Sequence, residues 1–237
     1  MKKFELTTEQ KINWFGRTLY RIKACISFTT TSGDEVKAGD LGGFVEKESN
    51  LSHNGKAWVW GNAKVWGNAK VCGDAEVCGD AEVWGNAKVW GNAKVWGNAK
   101  VCGDAKVCGD AKVCGDASVF STEHIFCVTP IGEYANSLTL FRTKHLEVKI
   151  SFEYELYSVE EFKKVIDEWD DTKNREVALA VLEIGQKHID LTPAVDEYES
   201  CPFCGGEAEY NADSDVVVCT KCCASADKKI WNSRVDD

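Results

Sequence analysis

Eleven six-residue units run without a gap from Ala57 to Thr122. The first reads Ala57-Trp58-Val59-Trp60-Gly61-Asn62. Nine follow as Ala-(Lys/Glu)-Val-Trp-Gly-Asn or Ala-(Lys/Glu)-Val-Cys-Gly-Asp, and the last decays to Ala117-Ser118-Val119-Phe120-Ser121-Thr122. A unit this short cannot bury an apolar face alone, so it must stack on its neighbours. The product is a solenoid, which offers long flat faces. Val and Ala recur in every unit, two positions apart, so both point to one side of an extended strand. That side is the core. Gly-Asn and Gly-Asp are turn pairs, because Gly takes positive φ freely and Asn or Asp tolerates it. Each unit is therefore a short strand and a corner.

Val59 to Ala63 and Val65 to Ala69 place an aliphatic residue four positions before a small one. That pattern resembles the left-handed β-helix of hexapeptide-repeat proteins. The resemblance implies left-handed winding and three units per triangular coil, so residues eighteen apart stack about one strand spacing, roughly 4.8 Å, apart. The sixty-six repeat residues would then make a little under four coils.

Folding the variable position by eighteen yields three columns: Trp60, Cys78, Trp96, Cys114; Trp66, Trp84, Cys102, Phe120; and Cys72, Trp90, Cys108. No Cys sits one rung from another Cys in its column. Same-column cysteines lie two rungs apart, roughly 9–10 Å, beyond disulfide reach. The columns read either as large-small stacking along a corner or as an interface. The interface candidates are Trp60, Trp66, Trp84, Trp90 and Trp96, since several exposed indoles on a short rod exceed what a soluble monomer shows. On that reading the rod forms a homo-oligomer, a dimer or trimer.

The chain has 237 residues and a net charge of −10. Residues 1–56 carry net +2, the repeats 0, residues 123–200 net −9 and residues 201–237 net −3. A basic footprint for nucleic acid is missing, so direct nucleic-acid binding by the solenoid is not expected. No apolar run approaches a membrane span, and Met1-Lys2-Lys3 leads into no signal-peptide core. Twelve cysteines without an export signal point to the reducing cytoplasm, that of the host cell if a phage encodes the chain.

The spacing divides the chain into an N-terminal β cap (1–50), the solenoid (51–122), an α+β domain (123–197) and a C-terminal unit (198–237). Overall this is a mainly β chain. In the cap, Ile12 to Ala24 reads as a hairpin turning at Phe15-Gly16-Arg17. In the α+β domain, Ser137–Arg142 and Leu146–Ser151 alternate as two strands. Ser158 and Glu161 form a capping box at a helix start. A second helix from about Asn174 to His188 would bury Val177, Ala180, Val181, Ile184 and His188. Leu19 to Ala24, Val36 to Val45, Asn50-Leu51-Ser52, Pro130-Ile131-Gly132, Leu138 to Thr143 and Val159 to Phe162 resemble a family of prophage-encoded hexapeptide-repeat proteins.

Cys201-Pro202-Phe203-Cys204 and Cys219-Thr220-Lys221-Cys222 have zinc-ribbon spacing, two CxxC knuckles fourteen residues apart. Cys201, Cys204, Cys219 and Cys222 would hold one structural Zn2+, with Cys223 able to replace Cys222. With Ile230 to Arg234, this unit resembles the Lar-type restriction-alleviation zinc ribbon. That resemblance implies phage counter-defence, with a host defence or nucleic-acid-processing protein, of restriction or CRISPR type, as partner.

Four functions are weighed. Acyltransfer on a hexapeptide helix needs a His base, and His53, His124, His145 and His188 all lie outside the repeats. Ice binding needs threonine ladders, which the repeats lack. A nucleotide sponge would set bases on Trp faces but finds no Arg in the repeats for phosphate. A non-enzymatic accessory binding protein, acting by inhibiting a host nucleic-acid-targeting complex, is the expectation.

Overall fold

A computed structural model describes residues 2–13, 15–132 and 136–192 in full, and the backbone of 208–211, 216–219 and 225–227. The chain divides into a unit of residues 1–190 and a unit of residues 191–237. The repeats form a β-solenoid of about four turns. Each contributes a two-residue strand, from Trp58–Val59 to Ser118–Val119. Each strand pairs in parallel with the one eighteen positions on, as in Glu82 with Lys100 and Val83 with Val101. Three ladders result. The first face stacks Lys64–Val65, Glu82–Val83, Lys100–Val101 and Ser118–Val119. The second stacks Lys70–Val71, Lys88–Val89 and Lys106–Val107. The third stacks Trp58–Val59, Glu76–Val77, Lys94–Val95 and Lys112–Val113.

The core is as the repeat dictates. Every repeat Val and Ala is at most 1% exposed. Each buried Val is worth about 1.5–3 kcal/mol over an exposed one. Corners need glycine for two reasons at once. Gly91 has φ +74, and a Cβ there would meet the Gly109 nitrogen at 2.9 Å.

The corner residues stack in columns as well. Along the columns of corner residues, Asn62-Asp80-Asn98-Asp116, Asn68-Asn86-Asp104 and Asp74-Asn92-Asp110, no Asp neighbours another Asp. Asn86 donates to the Asp104 carboxylate at 3.2 Å and Asn92 to that of Asp110 at 2.9 Å. The order of the units therefore keeps carboxylates off adjacent rungs. Asn92→Asp would stack three carboxylates at rung spacing. It is expected to destabilise the chain by about 1–2 kcal/mol in low salt and by less in 1 M salt, read from thermal midpoints.

An open solenoid end is an unpaired edge, and both ends here are covered. Strands Phe4–Ile12 and Thr18–Ala24 form the expected hairpin. Thr18–Ala24 pairs antiparallel with Leu41–Val45, which pairs parallel with Lys64–Val65, so the hairpin extends the first face. Two buried polar side chains finish the edge. Lys3 Nζ donates to the Ala57 carbonyl at 2.7 Å and the Gly55 carbonyl at 3.2 Å. Burial pushes its pKa down to about 8. Asn50 donates to the Gly67 and Ala69 carbonyls at 3.2 and 2.9 Å.

At the far end, Ile125–Ile131, Asn136–Arg142, Val148–Phe152 and Glu155–Ser158 make an antiparallel sheet in chain order. Helices α1 (Val159–Asp167) and α2 (Thr172–His188) pack on it. The Ser158–Glu161 capping box forms as expected. The sheet joins the last coil through an Ala117–Thr143 bridge and a hydrogen bond from Lys112 N to Thr139 Oγ1, 3.0 Å.

The buried stripe of α2 corrects the sequence reading. Ala178, Leu182 and Gly185 are buried and Val181 is half-buried against the cap core, while Val177 and Ile184 are 45% and 57% exposed and Ala180 and His188 also face out. The helix rests closest to the sheet at Gly185, where a Cβ would come within 2.7 Å of Leu140 Cδ2. A stripe centred on glycine escapes a count of apolar residues.

In the unit of residues 191–237, strands Ala208–Asn211, Val216–Cys219 and Ser225–Asp227 form an antiparallel meander. The proposed zinc ligands Cys201, Cys204 and Cys222, and the side chain of Cys219, lie outside the described residues.

Candidate functional site

The three Trp/Cys columns meet different fates because the caps cover the faces unequally. On the first face, Trp66 and Trp84 are 2% and 7% exposed, which corrects their reading as free interface residues. They stack with centroids 5.0 Å apart and planes 1° from parallel. Phe15 from the hairpin turn reaches Trp66 at 6.4 Å. Below, Cys102 is small enough for Phe120 to meet Trp84 edge-on at 6.4 Å. On the second face, Trp90 is half-buried between Cys72 and Cys108.

The third face differs. Trp60, Cys78 and Trp96 are only half-buried, and they line an open groove of about 610 Å³. Ser32, Asp34 and Glu35 of the N-terminal cap form one lip and Tyr154 of the far cap the other. Glu76 and Lys94 complete the lining. The sequence named Trp60 and Trp96 but gave no sign of the lips.

Each polar wall has a physical rationale. Glu76 is 5% exposed, so its carboxylate needs donors. It accepts from Trp60 Nε1 at 3.2 Å, from Ser32 N at 3.2 Å and from the Ser32 hydroxyl. These bonds fix one indole and dock the cap loop. Lys94 Nζ lies 3.4 Å from the Tyr154 hydroxyl, and Lys112 Nζ lies 3.6 Å from the centre of that ring. Tyr154 is held there by a two-residue hairpin turn in which Glu153 and Tyr154 both take positive φ, 50° and 70°. That turn type prefers Asn or Gly, and bulky residues there carry strain of about 1–3 kcal/mol each. Burial, then the Glu76 carboxylate, push the Cys78 thiol up to about 11. At neutral pH it is a neutral, unreactive lining group.

Cys72, Cys78, Cys102, Cys108 and Cys114 are free thiols, as the eighteen-residue coil requires. Among the described residues no cluster of three or more His, Cys, Asp or Glu could hold a metal, and no helix is long and apolar enough to cross a membrane.

Three of the histidines tie caps to coils. His53 stacks on Phe4 at 4.3 Å and accepts from Lys3 N. His188 Nε2 lies 3.1 Å from the Thr122 carbonyl. His124 is 5% exposed, and its Nδ1 accepts from Phe120 N at 3.0 Å and from the fully buried Arg142 guanidinium at 3.1 Å. Burial, then the Arg142 charge, push its pKa down to about 4. His145 is exposed on the turn after Thr143.

No protein-family model matches the chain, and no curated protein matches its sequence.

Proposed function

We propose that this chain is a non-enzymatic binding protein, a capped rod that presents its third face to a protein partner. The observation that carries the reading is the groove itself. Two half-exposed indoles and a tyrosine, positioned by Glu76 and by a strained turn, line a concave surface between two lips. Tyr and Trp in a partly enclosed setting are the residues that dominate protein interfaces.

The partner class rests on the two resemblances. A prophage-type hexapeptide rod, wound left-handed on that resemblance, joined to a Lar-type ribbon points to counter-defence in the host cytoplasm. The target would be a nucleic-acid-targeting complex of restriction or CRISPR type. The ribbon, with Zn2+ on Cys201, Cys204, Cys219 and Cys222, would act as a second contact module. Self-association through a dimer or trimer has Trp60, Trp90 and Trp96 to draw on, because Trp66 and Trp84 are already covered.

Two measurements test this reading. Affinity capture from host lysate with the full chain should retrieve a restriction or CRISPR complex, and recovery of chaperones alone would overturn it. Metal analysis should find about one zinc per chain, lost in Cys204→Ser; a protein without zinc removes the ribbon from the proposal.

A further inference from the structure

The groove on which the proposed function rests contains a gap of defined size. On the first face, indoles one rung apart stack at 5.0 Å. On the third face, Trp60 and Trp96 are two rungs apart, with Cys78 on the rung between. Two rungs span roughly 9.6 Å. A flat group seated over Cys78 would thus have an indole about 4.8 Å away on each side, within aromatic stacking range. Cys78 is the missing step of an aromatic ladder, and the neighbouring face shows the ladder with its step present.

Charge around the gap selects the guest. Among the described lining residues Asp34, Glu35 and Glu76 are acidic and Lys94 is basic, and both Lys94 and the neighbouring Lys112 are drawn to Tyr154. Glu76 is engaged by Ser32 and Trp60. Glu35 has only a loose, exposed contact with Lys37 at 3.6 Å, and among the described residues Asp34 makes no ion pair. A ring carrying phosphate would meet these carboxylates. A flat cation satisfies both walls and charge. Guanidinium is planar, weakly hydrated and stacks on aromatic faces, whereas ammonium is compact and strongly hydrated.

We infer that the slot between Trp60 and Trp96 takes an arginine side chain of the partner protein, its guanidinium over Cys78 and Asp34 or Glu35 as counter-ion. This deepens the reading of the chain as a partner-binding rod and depends on it for the source of the arginine.

Calorimetric titration of the full chain with acetyl-Gly-Arg-Gly-amide and with its lysine counterpart tests the slot. The arginine peptide should bind about tenfold tighter than the lysine peptide. Cys78→Trp should abolish that binding without lowering the thermal midpoint, because it installs the step that Trp66 and Trp84 already demonstrate. Asp34→Asn, outside the coils, should weaken binding several-fold and covers the case in which Cys78→Trp folds poorly. Equal binding of the two peptides, tighter binding of adenosine monophosphate, no arginine binding at millimolar concentration, or full binding by a folded Cys78→Trp would each overturn the inference. If wild type and Cys78→Trp capture the same host complex equally well, the arginine slot is wrong and the binding-rod reading stands.

Discussion

Deleting residues 87–104, three whole repeats, is expected to leave a folded protein, whereas deleting only residues 99–104 is expected to cost about 2–3 kcal/mol. The smaller deletion does the greater damage because of the coil. Eighteen residues make one turn, so removing a turn returns every later residue to its own face. Phe120 would then lie directly under Trp84, and the far cap would keep its orientation. Removing six residues carries Phe120 and the whole far cap to the next face. Trp84 loses the Phe120 ring that meets it edge-on. Uncovering this large aromatic side chain accounts for about 2–3 kcal/mol. Urea midpoints in reducing buffer decide it, and equal stability of the two deletions would show that the caps do not depend on particular faces.

The second large effect is expected at Arg142. It is fully buried, with Nη1 on the Ser118 carbonyl at 3.3 Å and on His124, and its guanidinium lies 5.6 Å from the centre of the Phe120 ring. One residue thus holds the last coil, the corner helix turn and the cap sheet together. Arg142→Ala should cost about 3–5 kcal/mol, through lost packing and stranded acceptors. Its neighbour gives the cluster a pH signature. The folded pKa of His124, about 4, lies below its ordinary value of 6.5. Between those values the unfolded chain holds a proton that the folded chain lacks. Stability therefore rises with pH across that window and is lost on acidification from about 6.5 to 4, by up to about 3 kcal/mol. His124→Gln should flatten this part of the profile while leaving the carboxylate contribution unchanged. Urea midpoints at pH 7 and pH 4.5 for both proteins measure the difference. An unchanged slope would mean that His124 does not titrate in this window.

The sequence made the coil legible because one short rule repeats. Val and Ala mark the interior in every unit, and folding by eighteen sorts the outer residues into the observed columns. The sequence did not show which columns the caps would seal. Phe15, Arg142 and Tyr154 decide that, and each belongs to a segment without repeats, where contacts are long-range. Trp58 illustrates the difference. It occupies a position that is Lys or Glu in most units, yet it is fully buried against Phe4 and Phe28 of the cap. The hairpin at Glu153-Tyr154 was hidden for another reason. Its turn carries neither Gly nor Asn, so the usual composition signal is missing, and the same departure puts Tyr154 at the lip of the groove.

The stacked corners bear on how such a rod can change by inheritance. DNA that encodes near-identical tandem units is prone to copying slippage, which adds or drops one unit at a time. A single step would swing the far cap by one side of the triangle and could bring like carboxylates onto adjacent rungs. Lineages would therefore keep rods that differ by complete turns. The length of the molecule is quantised, and its reach toward a partner would grow in steps of one strand spacing while the orientation of its two ends stays constant.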